Sequence, residues 1–132
     1  MNKKSEENIL AAEELICKGY YNSSIHCSYY ALFQYMKYIL DYCGLCNYAA
    51  QNKKTRAKGP HAKGSHDIIW GELNPHINDI ALRFTVDTSF QSLKKQRSVA
   101  DYKTSPLGEV ESQKCLNEAR DMIEQLKKYF NT

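Results

Sequence analysis

Residues 19–44, GYYNSSIHCSYYALFQYMKYILDYCG, decide how this chain folds. Ile25, Tyr29, Leu32, Phe33, Met36, Ile39 and Leu40 recur at helical spacing, which gathers them on one face of an α-helix and makes that face the buried one. Tyr30, Tyr35, Tyr38 and Tyr42 widen the stripe, so this helix is expected to be covered on more than one side. Gly19 closes whatever precedes it, Asn22 to Ser24 offer N-cap oxygens, and Gly44 supplies the C-terminal stop. The other helices are expected to assemble around it.

Upstream, Ile9, Ala12, Ile16 and Gly19 repeat at helical spacing with Leu15 beside them. Ser5 followed by Glu6 and Glu7 reads as an N-cap with an acidic first turn, which predicts a first helix over about 6–18. The link around Gly19 to Tyr21 is too short for anything but a reversal, so the first two helices form an antiparallel αα-hairpin.

Downstream, residues 47–64 lose the periodicity and read as a basic flexible loop broken by Gly59, Pro60 and Gly64. Lys53, Lys54, Arg56, Lys58 and Lys63 lie on it with no acidic residue, and are candidate contacts to phosphate or nucleic acid. The plainer alternative is a solvated loop. Ser65 then caps a third helix carrying Ile68, Ile69, Trp70 and Leu73. Asn74-Pro75 reads as the start of a kinked continuation through Ile77, Ile80, Ala81 and Phe84. Asp87 or Ser89 opens a fourth helix with Phe90, Leu93, Arg97 and Ala100 on one stripe, ended by Ser105-Pro106 and Gly108. The last helix spans about 109–130, with Leu116, Ala119, Ile123, Leu126 and Phe130 inward, flanked by Cys115, Met122 and Tyr129. No strand signal and no internal repeat appears. The pattern predicts an all-α bundle of four to five helices forming one domain over 1–132.

Hydrophobic residues make up 42% of the 132, enough for a core, and the net charge of +3 is too small to imply nucleic-acid binding by itself. No apolar run approaches the roughly 20 residues that cross a bilayer, and no signal peptide opens the chain, so a cytoplasmic protein with no membrane association is expected. Five cysteines, Cys17, Cys27, Cys43, Cys46 and Cys115, suit a reducing compartment. Cys43 and Cys46 form a CxxC, but no second half-site and no preceding strand accompany it; it reads as a helix terminus, and no metal or cofactor is expected.

One residue interrupts the apolar stripes. Arg97 falls between Leu93 and Ala100 on the face meant for the core, with Asp101 one turn later. Buried arginine is rare unless paired, because losing its hydration costs several kcal/mol. The alternatives are a partly buried polar site or an exposed ion pair at the edge of the stripe. Of the four histidines, His26 within the tyrosine-rich helix reads as structural. His66, in the first turn of the third helix, is the better functional candidate, since the positive helix end keeps its imidazole neutral. Tyrosines between Tyr20 and Tyr42 offer faces for base stacking, although helical spacing favours core roles for them.

Three segments in order resemble the HEPN superfamily (higher eukaryotes and prokaryotes nucleotide-binding domains). Gly19-Tyr20-Tyr21 leading into Ser28-Tyr29-Tyr30-Ala31-Leu32-Phe33 is similar to the family's YYAxF-like second helix. Gly64-Ser65-His66-Asp67 looks like the start of the third helix in a compact bacterial subgroup, and Arg97-Ser98-Val99-Ala100-Asp101-Tyr102 is similar to its RxxADY signature. The resemblance covers almost the whole chain.

It implies a HEPN-like bundle that commonly forms homodimers. Many members are metal-independent ribonucleases of toxin–antitoxin or defence systems, with an RxxxxH motif whose arginine and histidine act on the RNA phosphodiester. Here Arg97 matches the arginine, but the histidine position is Tyr102, a poor base at neutral pH. A literal RxxxxH, Arg56 to His61, lies in the Gly/Pro loop and reads as coincidence. The resemblance therefore implies a noncatalytic module that binds a partner protein, such as a small nucleotidyltransferase, or a nucleotide or RNA. The alternative is an endoribonuclease toxin using Arg97 with Asp101, Tyr102 or His66 as nonstandard acid/base.

Overall fold

Six α-helices and one 3-10 turn account for the regular structure in a computed structural model that describes residues 2–56, 64–102 and 107–132. They are α1 (Lys3–Cys17), α2 (Tyr21–Tyr42), α3 (Tyr48–Thr55), α4 (Ser65–Leu73), the turn Asn74–His76, α5 (Ile80–Tyr102) and α6 (Glu109–Phe130). No strand occurs among the described residues. The molecule is all-α.

The central helix is α2, which packs on α1, α6, α5 and α4 and more lightly on α3. Ile25, Tyr29, Leu32, Met36, Ile39 and Leu40 are fully buried along it. Gly19 at φ 79° and Gly44 at φ 69° take left-handed conformations at its two ends, where any side chain would be strained. Cys43 and Cys46 lie on the turn around Gly44, and every cysteine in the chain is a free thiol.

Small polar side chains set the register of the α1–α2 hairpin. Asn2 Nδ2 donates to the Gln34 carbonyl at 2.8 Å, Ser5 Oγ to Ala31 at 2.8 Å, and Ser24 Oγ to Ala12 at 2.9 Å. Each step up α1 is matched by an equal step down α2, which is what an antiparallel pair with a tight reversal requires. Two of these side chains are serines expected to cap helices. The N-cap of α1 is instead Asn2, whose Oδ1 accepts from Lys4 N at 3.1 Å, and α2 begins at Tyr21 without a side-chain cap. Serine is small enough to let two backbones approach, and burying its hydroxyl demands a partner that the neighbouring helix supplies.

Three further departures have physical causes. The segment expected to be a loop over 47–64 contains α3, capped by the Asn47 side chain, which accepts from Ala50 N at 2.8 Å. Buried Gln51 pins α3 by donating through Nε2 to the carbonyls of Lys37 at 2.9 Å and Cys46 at 2.8 Å. A helix anchored chiefly by polar contacts, from Gln51, the Tyr48 N–H to Asp41 and Lys54 to Glu72, leaves no apolar period to read. The helical continuation expected through Pro75 stops at His76, and α5 starts at Ile80 and runs unbroken through Asp87 and Ser89. Asp79 Oδ1 accepts from Leu82 N at 3.1 Å and acts as the start signal. Ile80 and Phe84, expected on the core face, are 72% and 71% exposed. On α6 the inward stripe is Ser112, Cys115, Leu116, Ala119, Met122 and Leu126, rotated slightly from expectation, with Ile123 and Phe130 partly buried.

Among the described residues no helix is long and apolar enough to cross a membrane. Leu32→Ala removes a fully buried side chain from the centre of α2, so it is expected to cost about 2–5 kcal/mol in denaturant unfolding. Phe84→Ala, at 71% exposure, is expected to cost under about 0.5 kcal/mol. Comparable losses in the two variants would contradict the placement of α5.

Candidate functional site

Apolar burial along α5 runs through Val86, Phe90 and Leu93 and resumes at Ala100, so the intervening turn carries Arg97 toward α2. There its guanidinium carbon lies 5.6 Å from the ring centroids of both Tyr29 and Tyr30, within cation–π range. The Arg97 side chain is only 20% exposed. Asp101, one turn on, approaches with Oδ2 at 3.3 Å from Arg97 Nε. That contact is an ion pair without hydrogen-bond alignment: Nε is buried and has no acceptor among the described residues. The sequence left two alternatives for Arg97, and the structure shows the partly buried one.

Two histidines from other helices complete the cluster. His66, in the first turn of α4, stacks on Phe33 with centroids 4.4 Å apart and on Tyr29 at 5.1 Å, and meets Tyr30 edge-on at 5.8 Å. Its Nδ1 is hydrogen-bonded to the Tyr29 hydroxyl. Burial, then the charges of Arg97 and Lys94, push the His66 imidazole down to about 4, with Asp67 opposing them. The Tyr29 phenol is pushed far up, chiefly by burial. Near pH 7 this pair is a neutral imidazole against a protonated phenol. Lys94 is itself held by Asp67 at 2.9 Å, and Arg97 is the cation that faces the Tyr29 and Tyr30 rings.

His26 stands at the open edge. It stacks on Tyr30, one turn along α2, with centroids 4.6 Å apart, and its Nδ1 lies 3.4 Å from Asp101 Oδ2. Its side chain is 44% exposed. Asp101 therefore touches a histidine on α2 and the arginine on its own helix through one oxygen. The product is a cation, a carboxylate, one half-exposed imidazole and one neutral imidazole around a tyrosine pair.

Not every expected residue belongs here. Tyr102 is 79% exposed; five residues along an α-helix turn it about 140° away from Arg97, so the two share no face. Lys53 and Arg56 are exposed on and just after α3, and Lys54 is paired with Glu72 at 2.7 Å. Lys58, Lys63 and His61 lie outside the described residues. In the sequence His26 reads as structural, because a lone histidine on a tyrosine-rich helix gives no functional sign; its spacing one turn before Tyr30 is the only local signal.

Among the described residues no group of three or more His, Cys, Asp or Glu side chains is placed to hold a metal ion. An apolar groove of about 550 Å³ between α1 and α6, lined in part by Ile9, Leu10, Tyr35 and Ile123, shares no residue with the Arg97 cluster.

The depressed His66 links stability to pH with a definite sign. The unfolded chain takes up its proton near the ordinary 6.5, and the folded protein only near about 4. Stability from this group is therefore complete above about 6.5 and is lost as pH falls toward about 4. Denaturant unfolding at pH 7 and pH 4.5 is expected to show a larger acid loss in the wild type than in His66→Gln. Equal losses would contradict a buried, neutral His66.

No family model, no curated protein and no solved structure matches this chain.

Proposed function

We propose that this chain is a HEPN-like helical module that binds a phosphate-bearing ligand, a nucleotide or RNA, at the Arg97 cluster without cleaving it. The observation that supports this reading is the Arg97 Nε–H, buried beside two tyrosine rings and lacking an acceptor among the described residues. An unmet buried donor costs about 1–3 kcal/mol, more when it belongs to a charged group, so Asp101 alone leaves this guanidinium under-satisfied. The Arg97 side chain is still 20% exposed, and through that exposed part a phosphate can add charge-assisted hydrogen bonds. Tyr30, partly exposed, adds a face on which a base can stack. Against catalysis stand two facts: Tyr102 points away from Arg97, and His66 has Nδ1 committed to Tyr29.

The resemblance supplies the biological setting of the proposal: a cytoplasmic module of a toxin–antitoxin or defence-type system, working with a small nucleotidyltransferase and pairing with a second copy of itself. The exposed Ile80 and Phe84, one turn apart on α5, offer an apolar patch for that pairing.

One observation favours a second reading, a metal-independent endoribonuclease. His26 is half-exposed and oriented by Asp101, the arrangement of a general base held by a carboxylate. In that reaction His26 would take the 2′-hydroxyl proton as the oxygen attacks phosphorus, Arg97 would stabilise the phosphorane charge, and the P–O5′ bond would break with the 5′-oxygen taking a proton from solvent water, leaving a 2′,3′-cyclic phosphate.

Incubation of a short-RNA pool with purified protein, without added metal, separates the two. Binding without cleavage, weakened at least tenfold in Arg97→Ala, is expected. Cleavage abolished by both Arg97→Ala and His26→Ala would replace this reading with the second; neither binding nor cleavage would overturn both. On a sizing column with light scattering, a dimer is expected for the wild type and a monomer for Phe84→Glu. A monomeric wild type would remove self-pairing, and a dimeric variant would move it to another face.

A further inference from the structure

A second concentration of positive charge lies where the N-terminal turn of α1 meets α2 and α3. A cleft of about 570 Å³ is lined there by Lys3, Lys4, Lys37, Tyr48 and Asn52, with Glu7 as the lone carboxylate of its lining. Gln51 builds the wall by tying α3 to the Lys37 carbonyl, and Asn2 fixes the start of α1 against the Gln34 carbonyl.

The placement of these lysines is costly for a free protein. Glu6 does lie in the first turn of α1, as expected, but the helix starts at Lys3, so Lys3 and Lys4 precede it at the positive end of the helix dipole, where cations are disfavoured. Lys37 approaches from α2, and burial together with the charge of Lys4 pushes its ammonium down. Among the described residues none of the three lysines forms an ion pair with a carboxylate. The cleft thus gathers three ammonium groups against one lining carboxylate, Glu7, with none of the three in an ion pair among the described residues, an excess of positive charge that an anion relieves.

The cleft and the Arg97 cluster meet at one buried ring, Phe33. Lys37 Nζ sits 5.8 Å from the centroid of Phe33, and Phe33 stacks on His66 at 4.4 Å. Tyr30, Phe33 and Lys37 follow one another along one side of α2, and from Tyr30 to Lys37 the helix rises about 10 Å. That is longer than one phosphate group reaches and suits a strand of linked phosphates.

We propose that the Lys3–Lys4–Lys37 cleft holds backbone phosphates of an RNA strand whose neighbouring nucleotide sits at Arg97, so that the ligand is a single-stranded RNA rather than a mononucleotide. This rests on the reading of the Arg97 cluster as a phosphate-binding site and extends it from one nucleotide to a track. Each phosphate contact on a single strand contributes about −0.7 to the slope of log K against log salt, so the track has a thermodynamic signature.

The test is fluorescence-anisotropy binding of a labelled single-stranded 12-mer RNA over a salt series, with ATP as the mononucleotide probe. The proteins are the wild type, Lys4→Gln/Lys37→Gln, Lys4→Arg/Lys37→Arg and Arg97→Ala, each checked for helix content by circular dichroism. The glutamine pair is expected to weaken RNA binding at least tenfold and to reduce the salt slope by about 1.4, while ATP binding is unchanged and the arginine pair restores RNA binding. RNA affinity and slope unaltered by the glutamine pair would overturn the cleft proposal and leave the Arg97 reading intact. Loss of RNA binding in the glutamine pair but not in Arg97→Ala would keep the cleft and overturn the Arg97 reading. A wild type that binds neither probe would overturn both.

Discussion

Removal of α2 from water is the constraint on which the rest of this molecule depends. A helix with Ile25, Tyr29, Leu32, Met36, Ile39 and Leu40 fully buried cannot be satisfied by one neighbour, so α1, α4, α5 and α6 all turn their apolar stripes toward it. Close approach by α1 is possible because serines face its backbone and hydrogen-bond across the gap. The stretch that nucleates the core therefore also dictates where every other helix can lie.

The same constraint creates the polar site. Near its N-terminal half α2 presents Tyr29 and Tyr30, and their rings leave room for a flat cation rather than an aliphatic side chain. Arg97 fills that place; its charge is accommodated by two ring faces and by Asp101, and it depresses the already desolvated His66. A guanidinium can occupy such a position because its charge is delocalised and weakly hydrated, whereas a lysine ammonium would lose more on leaving water. Structural and functional demands meet in one residue, which is why Arg97 breaks the apolar pattern of α5.

Legibility in the sequence followed the strength of the apolar period. Both glycine turns, the span of α2 and the whole of α6 could be read, since many apolar residues repeat there between clear stops. α3 carries no apolar period, because polar contacts from Gln51, Tyr48 and Lys54 hold it in place. The start of α5 was misplaced because Ile80 and Phe84 continue an apolar rhythm that faces solvent rather than core. At the site, Arg97 and Asp101 were visible as an interruption of a stripe, and His66 as a histidine on a helix start. His26 was not, since its value comes from Asp101, seventy-five residues away, and only the fold brings them together. Tyr102 failed for the opposite reason: its interest came from position in a motif, and helix geometry turns it away.

The central claim is that Arg97 is a phosphate-recognising cation set in an aromatic niche. Arginine Nε–H resonances of isotope-labelled protein, followed while a dinucleotide monophosphate is added, test it most directly. The account predicts a saturable shift of the Arg97 Nε–H signal together with the Tyr30 ring protons, while Arg120, paired with Glu13, stays unchanged. Shifts confined to Arg120 or to other surface arginines, with Arg97 silent at saturating ligand, would contradict it.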